Sequence, residues 1–213
     1  KETLMKVMVT GATGFLGGAL TRRLHGMGWD VTALGRNPKK LDELESEGIR
    51  TFQIDLKDKK MLADACKDQE IVFHCAALPS PWGNFELFYQ ANVIGTRNVI
   101  HACEEHKVKR LVYVSTPSLY FDYNSRVNVK ETDALPEPVS NYSATKILAE
   151  QELDEAGLHQ SVRHALRIRL DRHDDRHAEH QGQEQAPGAL SDETPDAVGL
   201  EQEDHDREDQ RAE

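Results

Sequence analysis

The chain has 213 residues, a formal net charge of -11 at pH 7 and an apolar content of 38%. This acidic balance argues against a general nucleic-acid surface or an anionic membrane surface as a partner. No apolar run approaches membrane-spanning length, and the 3 cysteines are few and odd in number. We therefore expect a protein without a membrane span in a reducing, cytoplasmic compartment.

The first predicted element is the short apolar run from Met5 to Val9, which favours a central strand of a parallel sheet. A G-x-x-G-x-x-G spacing follows it. Gly11 permits a sharp turn, Gly14 lets the backbone approach a ligand, and Gly17 lets the next helix lie close to the sheet. The N-terminus of that helix offers free N–H groups and a positive dipole end to a pyrophosphate. The spacing alone fits an ordinary turn and helix start equally well.

Strands and helices then alternate along the chain. The predicted strands are Met5–Val9, Asp30–Leu34, Ile49–Ile54, Glu70–Cys75 and Arg110–Ser115. The predicted helices run from Phe15 to a stop at Gly26 and Gly28, from Pro38 to about Glu47, from Lys59 to Lys67, from about Asn84 to His106 with a break near residues 81–83, and from about Asn141 to Ala156 with Gly157 as cap. This order predicts an α/β fold, a doubly wound parallel sheet (Rossmann-like) that binds its ligand beyond the carboxyl ends of the strands.

Tyr142 and Lys146 stand four residues apart in the last predicted helix, so their side chains share one helix face. A nearby ammonium favours the phenolate, and such a tyrosine can exchange a proton with a substrate hydroxyl or carbonyl. Ser115 and Thr116 follow the fifth strand and can hydrogen-bond the same oxygen, although both are also ordinary turn residues. The alternative for Tyr142 and Lys146 is a solvated helix face.

Several stretches carry a joint signal: Thr10-Gly-Ala-Thr-Gly-Phe-Leu-Gly17, Asp55-Leu56, His74-Cys-Ala-Ala77, Asn92-Val-Ile-Gly-Thr-Arg-Asn-Val99, Ser115-Thr116 and Tyr142-Ser-Ala-Thr-Lys146. In this order and spacing they resemble the extended short-chain dehydrogenase/reductase superfamily, which contains nucleotide-sugar epimerases, dehydratases and 3β-hydroxysteroid-type dehydrogenases. The resemblance covers residues 5 to about 158.

The resemblance implies roles for these residues. Tyr142 would be the catalytic acid/base, and Lys146 would hold the nicotinamide ribose and tune Tyr142. Thr116 would orient the reacting oxygen, with Ser115 as the second choice because Tyr120 sets the register. The implied cofactor-binding residues are Gly11, Thr13, Gly14, Phe15, Leu16, Gly17, Arg36, Asp55, Leu56, Ala76, Ala77, Asn92 and Lys146.

Within that set, Asp55 would hydrogen-bond the adenine with Leu56 beside it, and Ala76 and Ala77 would line the cofactor. Asn92 would support the active-site helix, or is a helix-face amide.

Cofactor choice depends on the end of the second strand, where members that prefer NAD usually carry an acidic residue. This chain has Leu34-Gly35-Arg36-Asn37 there, without an acid. Arg36 can pair with a 2′-phosphate in bidentate fashion, so we expect NADP, with NAD as second choice. A solvated turn residue is the alternative for Arg36.

The stretches Leu78-Pro-Ser-Pro-Trp-Gly83 and Val114-Ser-Thr-Pro-Ser-Leu-Tyr-Phe121 resemble the 3β-hydroxysteroid dehydrogenase side, including bacterial β-keto acid reductases. The expected function is therefore an NAD(P)-dependent oxidoreductase that moves a hydride between the nicotinamide and a secondary alcohol or ketone. The alternatives are a nucleotide-sugar epimerase or dehydratase, and a non-catalytic nucleotide-binding module. Trp82, Phe85 and Phe88 form either an apolar wall for the small-molecule substrate or part of the core.

Composition divides the chain. We expect residues 1–158 to form the cofactor-binding domain, and residues 159–213 to be a polar tail that buries too little apolar surface to offset its ordering entropy. No substrate domain is recognisable in that tail, which suggests a shifted reading frame, and we expect impaired activity if so. The spacing of His173, His177 and His180 is fortuitous in such biased sequence, so no metal is expected. The resemblance also implies a homodimer through the long fourth and fifth helices.

Overall fold

The chain forms a five-stranded parallel sheet with its first strand at the centre. The computed structural model describes residues 4–80 and 82–156. The strands are β1 Lys6–Thr10, β2 Asp30–Gly35, β3 Arg50–Gln53, β4 Ile71–His74 and β5 Arg110–Tyr113, in the spatial order β3-β2-β1-β4-β5. This order reverses direction between β1 and β4, which is where doubly wound sheets bind nucleotides. The predicted fold class is confirmed.

Helices connect the strands. They are α1 Phe15–Gly26, α2 Pro38–Ser46, α3 Lys59–Cys66, α4 Phe85–Phe88, α5 Gly95–Glu105 and α6 Asn141–Glu155. Between α4 and α5 lies a π-helical segment, Tyr89–Ile94, and a 3₁₀ turn at Pro117–Tyr120 follows β5.

Strand register brings the carboxyl ends of the strands to one edge. Thr10 of β1 is paired with Leu34 of β2 and with His74 of β4. His74 is in turn level with Tyr113 of β5. The residues that follow these strands are therefore neighbours in space, although they are far apart in the chain.

The sheet separates two apolar clusters, as the period-two alternation of a strand requires. In β1, Met8 packs into the cluster that also contains side chains of α3, α5 and α6. Val7 and Val9 point to the opposite face, into the cluster shared with Leu24 and Leu44. Full burial of each such side chain contributes roughly 1.5–3 kcal/mol, so β1 is fixed from both sides.

Several apolar residues in and next to α1 lie outside its buried face. Phe15 is 96% exposed, and Ala19 and Met27 are also exposed. The residues that α1 buries are Gly17, Gly18, Thr21 and Leu24. Small residues occupy this face because α1 packs with its backbone almost against the glycine turn (residues 11–14).

The predicted helix from about Asn84 to His106 is confirmed, as a continuous helical run through α4, the π segment and α5. Asn84 is the N-cap of α4, and its side chain accepts a hydrogen bond from the Glu86 amide. The middle of the helix is π-helical, so the Gly95 amide donates to Gln90 O, five residues back. Single π segments of this kind are often found at functional sites.

The aromatic residues before and within α4 have divided roles. Phe88 is buried in the protein, whereas Trp82 is 84% and Phe85 43% exposed. Of these three residues, only Phe88 is therefore part of the core.

Other predictions concern residues outside the described part of the chain: Gly157, the 159–213 tail, and His173, His177 and His180 within it. Among residues 4–80 and 82–156, no helix is long and apolar enough to cross a membrane.

Gly17 offers a steric test of the close packing of α1. A Cβ at Gly17 would lie 2.2 Å from Gly11 O, whereas a Cβ at Gly26 of the same helix would meet nothing within 4 Å. We expect Gly17→Ala to lower the free energy of unfolding by about 3 kcal/mol. Gly26→Ala should raise it by about 0.5 kcal/mol through helix propensity. Urea unfolding followed by circular dichroism measures both, and equal effects would contradict the packing of α1 described above.

Candidate cofactor and catalytic site

The backbone of the glycine turn closely approaches the backbone of the loop after β4. Gly11 has φ +70°, and a Cβ there would lie 2.7 Å from the amide nitrogen of Ala76. The Gly14 amide donates to Gly11 O at 2.9 Å. Any side chain at Gly11 would therefore separate the end of β1 from the loop after β4.

The N-terminus of α1 suits an anion. Its N-cap, Gly14, makes no side-chain capping bond, and the first turn has no acidic residue. Amides of a first helical turn have no intrahelical acceptor, so here they can bind the oxygens of a diphosphate. Phe15 and Leu16 lie in this first turn, Phe15 almost fully exposed. The site thus fits the group that the glycine spacing predicts.

At the end of β2, Thr13 fills the space beside Gly35. A Cβ on Gly35 would lie 2.3 Å from Thr13 Cγ2. Arg36, the next residue, is exposed, and its backbone carbonyl accepts a hydrogen bond from Gln53 Nε2 at 3.4 Å. Within the described ranges no ion pair engages the Arg36 guanidinium.

The residues after β3 and β4 continue the same edge. Asp55 is exposed, and its Oδ1 accepts the Lys57 amide at 3.0 Å. Leu56 packs against the α3–α5 side of the core. Ala76 and Ala77 are half-buried beside the glycine turn, and the Ala76 amide donates to Thr10 Oγ1 at 3.3 Å.

Asn92 joins two of these segments. It lies in the π segment and is 2% exposed. Its Oδ1 accepts the Leu78 amide at 2.7 Å, and its Nδ2 donates to Thr145 Oγ1 of α6 at 3.0 Å. The side chain therefore ties the loop after β4 to α6.

Lys146 is a buried cation without a carboxylate partner within hydrogen-bonding range in the described part of the chain. It is 2% exposed, and its Nζ donates to Val114 O at 2.7 Å and lies 3.9 Å from the centre of the Tyr113 ring. Burial lowers the pKa of Lys146 to about 7, while the nearby charges of Glu150 and Cys75 oppose this shift. Burial raises the pKa of the Cys75 thiol to about 11.

The two hydroxyls after β5 have different partners. Ser115 Oγ donates to Glu150, which stands one helical turn after Lys146. Thr116 is the N-cap of the 3₁₀ turn: its Oγ1 accepts the Ser118 amide at 3.2 Å and donates to Ser118 Oγ at 3.1 Å. Ser115 is thus directed toward α6, and Thr116 toward the 3₁₀ turn.

Tyr142 is half-buried in the first turn of α6. A reciprocal cap fixes this end of the helix, since Ser140 Oγ accepts the Ser143 amide and Ser143 Oγ accepts the Ser140 amide, both at 3.1 Å. Tyr142 lies close enough to Tyr113 to contribute to the raised pKa of that buried phenol, for which burial is the main cause. The start of α6 is therefore close to the end of β5.

Some residues at this edge were given no role by the sequence reasoning: Thr10, His74, Thr96, Thr145 and Glu150. Each makes one of the bonds that join the segments. The position of His74 at the end of an apolar strand was the one signal available for it. Among the described residues, no group of three or more His, Cys, Asp or Glu is arranged to hold a metal ion.

Relatives were found among curated proteins and among solved structures. The chain is 40% identical over 169 residues to 2-alkyl-3-oxoalkanoate reductase from Stenotrophomonas maltophilia, which covers 78% of this chain and 51% of that protein. It is 36% identical over 147 residues to the human sterol-4-alpha-carboxylate 3-dehydrogenase, decarboxylating, covering 67% of this chain and 38% of that one. The structure of MoeE5 in complex with UDP-glucose and NAD superimposes with a TM-score of 0.61 and 34% identity, covering 71% of this chain and 48% of that one.

The chain thus spans about half, or less, of the length of the relatives it matches. Residues 7–169 match the NAD dependent epimerase/dehydratase family, and the chain belongs to that family.

Proposed function

We propose that the chain is the cofactor-binding and catalytic part of an NADP-dependent ketoreductase. Its reaction moves a hydride between the nicotinamide and a secondary alcohol or ketone. The curated relatives include a 2-alkyl-3-oxoalkanoate reductase and a sterol-4-alpha-carboxylate 3-dehydrogenase, which supports a 3-oxo or 3-hydroxy substrate of apolar character.

The observation that carries this proposal is the buried ammonium of Lys146. Removing a cation from water costs several kcal/mol unless a partner compensates, and here the hydrogen-bond partner is a backbone carbonyl. A merely structural position would carry an apolar side chain at lower cost. A nucleotide-binding module without chemistry would need only the glycine turn.

In the proposed mechanism, the bound reduced nicotinamide supplies the hydride. Tyr142 gives its phenolic proton to the carbonyl oxygen as that oxygen becomes a hydroxyl. The Thr116 hydroxyl, which can turn from Ser118, donates a hydrogen bond to the same oxygen. Ser115 is the weaker candidate because Glu150 already holds its hydroxyl. The Lys146 ammonium would hold the nicotinamide ribose.

The remaining contacts follow the same edge of the sheet. We assign the diphosphate to the amides of residues 11–17 and the adenine to Asp55 and Leu56, while Ala76 and Ala77 would line the cofactor. Asn92 acts as a positioning residue, since its amide is already engaged by Leu78 and Thr145. Arg36, which has a free guanidinium among the described residues, would pair with the 2′-phosphate of NADP.

A second candidate is a nucleotide-sugar epimerase or dehydratase with NAD. Its support is the 34% identity to MoeE5, a structure in complex with UDP-glucose and NAD. A requirement for NADPH would support the ketoreductase, and a requirement for NAD would support the epimerase or dehydratase.

The extent of the unit belongs to the proposal as well. Residues 1–158 are proposed as the cofactor-binding domain and 159–213 as a polar tail from a shifted reading frame. Translation of the other two frames tests the latter. A homodimer through the helical run from α4 to α5 and through α6 is the proposed state, in the cytoplasm, and light scattering measures the oligomeric state.

Tyr142→Phe tests the proton donor. We expect NADPH affinity to stay within about twofold of wild type, because the ring is retained, while kcat falls about 10²–10⁴-fold. Loss of NADPH absorbance with a 2-alkyl-3-oxoalkanoate measures kcat, and fluorescence titration measures binding. Tyr123→Phe is the control, because Tyr123 is 78% exposed. Equal kcat in the two variants would exclude Tyr142 as the proton donor.

Arg36→Gln tests the choice between NADP and NAD. Loss of a bidentate phosphate pair should raise the Kd for NADPH about 10–100-fold and leave the Kd for NADH unchanged. Arg50→Gln, at the amino end of β3, is the matched exposed control. Tighter binding of NADH than of NADPH by the wild type would reject NADP.

Lys146→Met tests the cost of the buried cation. The folded-state pKa of Lys146, about 7, lies below the ordinary 10.5. Between these values the unfolded chain binds more protons, so the contribution of Lys146 to stability rises with pH across this window and is lowest below pH 7. We expect the free energy of unfolding of Lys146→Met to exceed that of the wild type by about 2 kcal/mol at pH 6. This figure allows for the hydrogen bond that is lost with the ammonium.

That difference should shrink as pH rises toward 10.5. Urea unfolding at pH 6, 8 and 10 measures it. Lys60→Met, at an exposed position in α3, is the control and should show no such pH dependence. A constant difference over this range would mean that the Lys146 pKa is not lowered.

A further inference from the structure

His74, the last residue of β4, lies where the three central strands end. It is 1% exposed, and in register it lies between Thr10 of β1 and Tyr113 of β5. The Tyr113 ring centre is 5.6 Å from the imidazole centre. The mechanism proposed above does not use this histidine.

Both ring nitrogens of His74 have partners. Nδ1 lies 2.6 Å from Thr10 Oγ1. The Ala76 amide donates a hydrogen bond to the same Oγ1 at 3.3 Å. Nε2 lies 3.0 Å from Thr96 Oγ1, which donates to Asn92 O. These bonds form one buried hydroxyl–imidazole chain from the loop after β4 to the π segment.

The Asn92 carbonyl determines which atom donates each proton in the hydroxyl–imidazole chain. Asn92 O can only accept, so it takes the single hydroxyl hydrogen of Thr96. Thr96 Oγ1 must then accept from His74, which places the proton on Nε2. Nδ1 is left as an acceptor for the Thr10 hydroxyl. Burial, and secondarily the charge of Lys146, lower the pKa of His74 to about 3, so the ring is neutral.

The hydroxyl–imidazole chain continues through Asn92 to helix α6. The Asn92 side chain accepts from Leu78 and donates to Thr145, three residues after Tyr142 and one before Lys146. The glycine turn follows Thr10 directly. The hydroxyl–imidazole chain therefore connects the segment assigned to the diphosphate with the helix assigned to the chemistry.

We propose that His74 is a positioning residue. In its Nε2-protonated tautomer it sets the distance between helix α6 and the loop after β4, which lies beside the glycine turn. This inference rests on the proposed function. Its loss should weaken cofactor binding although His74 itself reaches neither cofactor nor substrate.

A histidine suits this position because its rigid ring carries an acceptor and a donor on opposite sides without a charge. An asparagine can reproduce the Nδ1 acceptor toward Thr10, and a glutamine the Nε2 donor toward Thr96. A phenylalanine fills the volume but leaves both threonine hydroxyls without the imidazole, which is costly for buried polar groups.

The experiment compares His74→Asn, His74→Gln and His74→Phe in the full chain. We expect His74→Phe to raise the Kd for NADPH about tenfold in protein that circular dichroism shows to be folded. The Asn and Gln variants should each recover part of this loss. His101→Gln, an exposed histidine on α5, is the control and should bind as the wild type does.

A purely structural role would lower the free energy of unfolding in these variants while the folded protein kept the wild-type Kd, and that result would overturn the proposal. Should His74→Phe fail to fold, Thr96→Val, which removes the acceptor of Nε2 at nearly constant volume, should raise the Kd several-fold.

The tautomer is tested without any cofactor. In ¹H–¹⁵N spectra of the wild type, His74 should show a proton on Nε2 and none on Nδ1 from pH 8 to pH 5. A proton on Nδ1 in this range would overturn the proposal. Failure of the wild type to bind either NADPH or NADH would instead reject the proposed function, while the tautomer result still stands.

Discussion

The close approach of backbones at the glycine turn is the constraint on which the site depends. Three elements meet there: α1 packs against Gly11 O through Gly17, the loop after β4 reaches Gly11 through Ala76, and Thr13 reaches β2 at Gly35. Each contact is possible only where a Cβ is missing. The missing side chains bring the free amides of α1 to the point between β1 and β4 where the sheet order reverses.

The second constraint is electrostatic, and it acts against stability. Lys146 of α6 is buried, with a backbone carbonyl and a tyrosine ring as its partners. Packed apolar side chains would serve the fold better at that position. Under the proposed function, this desolvated group is retained for the chemistry, which is a common exchange of stability for activity. Here it keeps an ammonium one helical turn from Tyr142, at the carboxyl end of β5.

These two constraints are linked by polar side chains inside the protein. Thr10, His74, Thr96 and Asn92 form a continuous path between strand ends, π segment and α6. This path lies within residues 7–169, the stretch that matches the NAD dependent epimerase/dehydratase family.

Local sequence patterns determined the alternating elements, the glycine turn and the Tyr142–Lys146 spacing, because turns and helix faces depend on residues close together in the chain. The π segment could not be read from the sequence, since one widened helical turn leaves the apolar repeat nearly unchanged. Likewise, the most apolar residues of α1 do not mark its buried face, because the short distance to the glycine turn selected glycine there. Only the tertiary structure decided the partners of Ser115, Lys146 and His74: each is bonded to a residue more than 20 positions away, and such pairings follow from strand register and helix packing rather than from neighbouring residues.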